Sequence, residues 1–309
     1  MKGALSDIHL DFSEDRLLAL NIAMAFIMFG VALSIESKNF KEVTRNPKSI
    51  ITGVVSQFIL LPFFTFLFVY FTQPLEGLAL GLILVAACPG GNVSNFFSNL
   101  SGGNVALSIS LTAIATILAI VFTPINFEFW SHLYLGEKVG QGITLETWKM
   151  LKTISTILAA PLLLGLLFKY KYSKLASKIA EPIKLISFIL LVVIIAIAFL
   201  QNLDIFKQYY HYIIYLVFFH NAIALGSAYL ISKIVGNNEQ DSRTISIETG
   251  IQNSGLGLVI IFSIFQGNGG MAIIMAWWGI WHIVGGTVMS LIFTRGKLFK
   301  IRSLKSLNS

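Results

Sequence analysis

The chain has 309 residues, of which 55% are hydrophobic and only 12% charged, and its mean hydropathy is +0.78. Soluble domains carry about 25% charged residues, and a globular core of this length cannot hide so much apolar surface. The composition therefore excludes an ordinary water-soluble protein and makes the bilayer the natural solvent. The formal net charge of +7 does not mark a nucleic-acid binder, because the basic residues sit in short loops between apolar runs, as topology determinants do. A single cysteine, Cys88, excludes an intramolecular disulfide, and no Cys/His spacing suits a transition metal.

A membrane-crossing helix needs about 20 apolar residues. Nine candidates follow in chain order: 17–35, 50–72, 76–100, 104–124, 148–168, 182–201, 209–232, 241–266 and 270–294. The first follows an acidic start (Asp7, Asp11, Glu14, Asp15) and is too long for the apolar region of a removable signal peptide. The polar-aromatic stretch 125–147 reads as a surface segment between the fourth and fifth. Nine spans put the termini on opposite sides. Sixteen of the 22 Lys and Arg then fall on one side, including Lys38, Lys41, Lys169, Lys171, Arg243 and Arg295. By the positive-inside rule that side is cytoplasmic. The expected arrangement is a multi-pass protein of the cell (inner) membrane with the tail 1–16 outside and the tail 295–309 cytoplasmic.

Two segments are not simple spans. The third is interrupted at Cys88-Pro89-Gly90-Gly91 and resumes with Asn92-Val93-Ser94-Asn95, and the eighth carries Glu248-Thr249-Gly250-Ile251-Gln252-Asn253-Ser254-Gly255. Proline removes a helix hydrogen bond and glycine permits unwinding, and freed backbone groups survive at membrane depth only where they line a cavity or are buried in protein. Spans one to four resemble spans six to nine in layout, one set entering from each side, which is the pattern of an inverted repeat with broken helices at matching positions.

Glu248 is the one carboxylate well inside any span, and an intramembrane ionisable group is a functional candidate by default. Around it are oxygen-bearing residues: Gln252, Asn253 and Ser254 at its own break, Asn92, Ser94 and Asn95 at the other, and Gln57 on the second span. Ser108 and Thr112 stand four apart, on one face of the fourth span. Singly, such hydroxyls bond back to the preceding helical turn. Together with a lone carboxylate they form the donor set of a hard cation.

The string from Cys88 to Asn95, then Gly103-Asn104-Val105-Ala106-Leu107-Ser108, then Glu248 to Leu256, with His220-Asn221 and Trp281-His282, resembles the signature set of the bile acid:sodium symporter family, in order and spacing, from about Leu17 to Thr294. The resemblance implies an all-α integral membrane fold in which two broken helices cross near the midplane. A core domain (50–124 and 209–294) would face a smaller panel domain (17–35 and 148–201). It implies one sodium ion among Ser94, Asn95, Ser108, Thr112 and Glu248, and a second among Gln57, Glu248, Gln252 and the backbone carbonyls of Thr249 and Ile251. An organic anion, bile-acid-like, keto-acid-like or pantoate-like, would bind near Asn92, Asn253 and His282, in the crevice between the domains. The implied partners are the anion, sodium and the lipid bilayer, with no nucleic acid and no protein partner. Family members commonly have ten spans, so this chain departs by lacking the first, and Thr249 and Ile251 stand where other residues are often seen. A lone His in an apolar span, such as His282, is otherwise a packing residue. The expected activity is symport by alternating access and not enzymatic. A proton-coupled carrier of the same fold is the alternative, although a proton relay needs fewer neutral oxygens. An intramembrane hydrolase using Ser94, His282 and Glu248 lacks any nucleophile-elbow or His-Glu-x-x-His pattern.

Overall fold

The structure is a computed structural model and describes residues 14–35, 45–91, 93–136, 147–201 and 203–296. Within these residues the regular structure is helical. The elements are α1 (Glu14–Ser34), α2 (Pro47–Thr72), α3 (Glu76–Ala87), α4 (Val93–Leu100), α5 (Val105–Leu135), α6 (Thr147–Ile154 continued by Ser155–Ala159 and Ala160–Lys171), α7 (Ser173–Gln201), α8 (Leu203–Ile234), α9 (Glu239–Gly250), α10 (Ser254–Ile264) and α11 (Gly269–Thr294). Six helices among the described residues are long and apolar enough to cross a membrane, those of α1, α2, α5, α6, α8 and α11, while α3 and α10 are apolar but only half as long. The expected third and eighth spans are thus each two pieces, α3 with α4 and α9 with α10, and the expected sixth lies within α7. The loop lysines Lys38 and Lys41, Asn92 and the tail beyond Gly296 lie outside the described residues.

One expectation is corrected. The stretch from 125 does not leave the fourth helix for the surface: α5 continues unbroken to Leu135, with Pro124 inside it. Its polar residues find local partners. Trp130 Nε1 donates to Asn126 Oδ1 (3.2 Å) and Ser131 Oγ donates to the Phe127 carbonyl, so the helix carries polar groups without unwinding. Residues 137–146 lie outside the described residues.

Asparagine opens four of these helices. The side chains of Asn104, Asn238, Asn253 and Asn268 accept hydrogen bonds from the backbone N–H groups of Leu107, Asp241, Leu256 and Met271, satisfying donors that a helix start leaves free. Both α2 and α6 contain one π-helical turn, Ser56–Leu60 and Ser155–Ala159, each followed two residues later by a proline, Pro62 and Pro161. Proline withholds an N–H from the helix ladder, and a wider turn just before it absorbs the mismatch and re-aims the side chains it carries. Gln57 rides on the first of these turns.

Helix α1 packs chiefly against α6 and α7, whereas α2, α3, α5, α8, α9 and α11 pack on one another. The α3–α11 contact is made by glycines. A Cβ on Gly270 would fall 2.8 Å from Gly77 Cα, so only glycine permits this approach, the small-residue packing that membrane helices favour.

Candidate functional site

The two interruptions meet. Pro89 biases the residue before it towards extended backbone, and Cys88 is extended (φ −71°, ψ 154°), ending α3. At the second interruption Ile251 is extended as well (φ −120°, ψ 100°). The two short strands run antiparallel and bridge at Gly90 and Gln252. Gly91 N donates to the Ile251 carbonyl (2.7 Å) and Asn253 N to the Pro89 carbonyl (2.9 Å). Each break thus satisfies backbone groups that the other frees, which an interruption at membrane depth requires. Glycine is needed here for closeness. A Cβ on Gly90 would lie 3.1 Å from Glu248 Oε2, and one on Gly91 would lie 3.0 Å from the Gln252 carbonyl.

On this frame the first group of expected residues converges. Glu248, buried at the end of α9, accepts hydrogen bonds from Ser94 Oγ (2.7 Å), from Ser108 Oγ, and from Thr112 Oγ1 to both carboxylate oxygens (3.2 and 3.0 Å). Asn95 Oδ1 accepts from Ser108 Oγ (2.9 Å) and Thr112 Oγ1 (3.5 Å). Every donor reaching the carboxylate among the described residues is a neutral hydroxyl, supplied by α4 and by one face of α5. No group of three His, Cys, Asp or Glu gathers anywhere among the described residues, so the donor set is that of a hard, oxygen-seeking cation and not of a transition metal.

The second group lies beside it. Gln57 Nε2 donates to the Cys88 carbonyl (2.9 Å) and to Gln252 Oε1 (3.0 Å), Gln252 Nε2 donates to Gln57 Oε1 (3.2 Å), and Gln252 Nε2 also donates to the Thr249 carbonyl (2.6 Å). The Thr249 and Ile251 carbonyls each accept one protein hydrogen bond here, which leaves a lone pair on each. A void of about 10 Å³ lies between the two groups, lined by Gly53, Gln57, Leu111, Ala115 and Glu248. That is room for one water-sized particle.

A larger cavity of about 430 Å³ opens against the crossing. Gly91, Val93, Gln252, Asn253, Ser254 and His282 line it from one side, and Ile27 of α1 with Val192, Ala196 and Leu200 of α7 line it from the other. Asn253 and His282 are therefore brought together on its wall, and Asn253 also caps α10. His282 is buried, and among the described residues its Nδ1 has no hydrogen-bond partner. The third expected anion contact, Asn92, lies outside the described residues. On the lysine-bearing side a second cavity of about 500 Å³ separates α1, α6 and α7 from α4 and α5, and Asn95 and Thr112 are on its wall with Lys169 and Lys184.

Sequence reasoning missed one buried acid. Asp241 is 2% exposed and accepts from Ser49 Oγ (2.8 Å), Asn104 Nδ2 (2.8 Å) and Asn238 Nδ2 (3.0 Å). It ties the starts of α2, α5 and α9 together. Its place at the polar edge of the eighth span gave it the look of a loop acid, and the only hint was the run of amides around it, Asn237, Asn238 and Gln240.

Comparison with known proteins identifies the family. The model of the Sodium Bile acid symporter family matches residues 21–209. The chain is 29% identical to the uncharacterized sodium-dependent transporter YocS of Bacillus subtilis over 94% of its own length and 87% of that protein. It is 29% identical to the probable sodium/metabolite cotransporter BASS1, chloroplastic, of Oryza sativa over 88% of this chain and 65% of that one. It is 32% identical to the P3 protein of Mus musculus over 81% of this chain and 52% of that one, so it spans about half to two-thirds of these eukaryotic relatives. The family model covers more than half of the sequence, and the chain belongs to the Sodium Bile acid symporter family, whose members are transporters and not enzymes.

Proposed function

We propose that the protein is a sodium-coupled symporter of an organic anion working by alternating access. The observation that carries this reading is the convergence of Ser94, Asn95, Ser108 and Thr112 on the buried Glu248 at the paired helix breaks. A buried carboxylate ringed by neutral hydroxyl and amide oxygens offers a cation one formal charge and several dipoles. The first sodium ion takes this group. The second takes Gln57, Glu248, Gln252 and the free lone pairs of the Thr249 and Ile251 carbonyls. The void between Gln57 and Glu248 supports that second site.

In this reading nine spans cross the membrane as an inverted repeat, with the N-terminus outside and the C-terminus cytoplasmic. Residues 50–124 and 209–294 form the core, and 17–35 with 148–201 form the panel. The seam between them carries both large cavities, which supports the division. The organic anion binds in the 430 Å³ cavity at Asn253 and His282, and Asn92, which lies outside the described residues, is the third contact of this reading. The described lining of that cavity includes no Lys or Arg. Bound sodium and the positive ends of α4 and α10 therefore offset the anion's charge, and by linkage anion affinity rises with sodium. Two sodium ions with one monovalent anion carry one net positive charge inward, to which the membrane potential contributes about 2.3 kcal/mol per 100 mV.

The experiment is uptake of candidate organic anions into proteoliposomes of the purified protein, with a sodium gradient, a potassium gradient or a pH gradient imposed in turn. Uptake driven by sodium is expected. Uptake that follows the pH gradient and ignores sodium would replace this reading with the proton-coupled one.

A further inference from the structure

The adjacent pair His220-Asn221, near the middle of α8, lies outside both ion groups and outside the large cavities, yet both residues are buried and polar. Each reaches a different neighbour. His220 Nε2 lies 2.6 Å from Thr65 Oγ1 on α2. Asn221 Nδ2 donates to the carbonyl of Gly250 (2.8 Å), the last residue of α9. Thr65 is on the same helix as Gln57, two turns further on. Gly250 stands between Thr249 and Ile251, whose carbonyls are the backbone members of the second ion group. At the end of a helix the last carbonyls have no intrahelical partner, so the Asn221 amide decides how the peptide after Gly250 is oriented.

Resting on the two-ion reading above, we propose that His220 and Asn221 together are a positioning clamp for the second cation site. One residue sets the placement of α2 and hence of Gln57, and the other sets the orientation of the Thr249–Gln252 backbone. Neither residue touches the ion. The clamp is braced from α11: Asn221 Oδ1 lies against Gly285, where a Cβ would fall 2.1 Å from it. His220 is held between Phe68 and Trp278, ring centroids 6.2 and 4.8 Å away, so its reach towards Thr65 is fixed by packing. Elsewhere α8 grips α9 by contacts that lie away from the break, such as Ser246 Oγ to the Leu225 carbonyl (2.7 Å). These provide an internal control.

The test is thermal stabilisation of the purified full-length protein by sodium chloride, with choline chloride keeping ionic strength constant. A ligand that binds only the folded state stabilises it by an amount that grows with the logarithm of its concentration over Kd, so fitting the titration yields an apparent sodium Kd, the midpoint of site occupancy, separately from the baseline Tm. Asn221→Leu, Thr65→Val and Gly285→Ala are each expected to raise the midpoint about fivefold, the fold-change equivalent to one ordinary hydrogen bond. His220→Gln, which keeps a nitrogen able to reach Thr65, is expected to restore most of what His220→Phe loses. Ser246→Ala is expected to lower Tm without moving the midpoint. Thr65→Val combined with Gln57→Ala should add less than the two separate effects, since Thr65 acts through the placement of Gln57. A wild-type midpoint in Thr65→Val and Gly285→Ala, with the wild type itself responding to sodium, overturns the clamp. No sodium response in the wild type overturns the sodium reading on which the clamp rests. If Asn221→Leu does not fold, Thr65→Val and Gly285→Ala decide the matter, since they leave the clamp residues in place.

Discussion

Replacing Glu248 with glutamine removes the charge and little else. The side chain keeps its length, and one carbonyl oxygen still accepts from the hydroxyls of Ser94, Ser108 and Thr112. The new amide N–H group faces oxygens that accept as readily as they donate, because a hydroxyl can turn. Burial of an uncompensated charge is relieved while charge-assisted hydrogen bonds are lost, and these two effects oppose each other. Glu248→Gln is therefore expected to fold, with a Tm in the absence of sodium close to that of the wild type. The cation loses its one formal counter-charge. At an effective dielectric constant of 20 a pair of unit charges 4 Å apart is worth about 4 kcal/mol, roughly a thousandfold in Kd. A sodium titration of thermal stability should thus show a rise that turns logarithmic above Kd for the wild type and none for the variant at any workable concentration. Proteoliposomes carrying the variant should lose sodium-driven uptake with it. A Glu248→Gln variant that kept the wild-type sodium midpoint would refute the assignment of the cation to this carboxylate.

Two further predictions concern stability. Asp241→Ala strips an acceptor from Ser49, Asn104 and Asn238 at once and should cost about 3 kcal/mol, read as a fall in Tm in detergent, while Asp241→Asn should cost clearly less. Burial pushes the carboxyl of Glu239 up, but hydrogen bonds from Arg243, Lys233 and Tyr229 outweigh it and hold the group below the ordinary carboxylate range. Its contribution to stability is therefore present above that range and lost as pH falls through the lowered pKa. A Tm-against-pH profile below about pH 4.5 should be flatter in Glu239→Gln than in the wild type.

The polar residues around Glu248 and the two helix breaks were legible because their chemistry is out of place. One carboxylate in an apolar span, two hydroxyls four residues apart on a helix, and Pro-Gly-Gly inside a hydrophobic run each violate the pattern of a lipid-facing helix, and the structure brings all of them together. What escaped is what looks ordinary locally. The stretch after Pro124 has the polar-aromatic content of a surface segment, yet the Asn126–Trp130 and Ser131–Phe127 hydrogen bonds keep it helical. Asp241 sits among amides at a span edge, and its partners Ser49 and Asn104 come from segments more than 130 residues away. The π-turn that aims Gln57 at the Cys88 carbonyl leaves no mark beyond Pro62 two residues after it. The residues alone mark two separate interruptions; their crossing was implied by the family resemblance, and the backbone hydrogen bonds that pair them leave no mark in the sequence.

That pairing gives coupling a physical route. The hydroxyl groups around Glu248 and the 430 Å³ cavity share no side chain, but the paired breaks run between them. Gly91 lines the cavity and donates to the Ile251 carbonyl, and Gln252 lines the same cavity and exchanges hydrogen bonds with Gln57. A cation that reorders either carbonyl or amide therefore moves part of the cavity wall. Gly91→Ala tests this directly. Its Cβ would lie 3.0 Å from the Gln252 carbonyl and 3.3 Å from that residue's carbonyl carbon, and these are backbone atoms that cannot swing aside. The bridge must open by a few tenths of an ångström, at an expected cost of about 1–3 kcal/mol. His282→Phe, by contrast, changes a part of the cavity wall that belongs to α11 and leaves the bridge intact. If the bridge transmits ion binding, Gly91→Ala should raise the sodium midpoint and the half-saturating anion concentration together, while His282→Phe should raise only the latter. Transport kinetics measured at several sodium concentrations separate the two. Equal and independent losses in both variants would mean that coupling runs through some other contact.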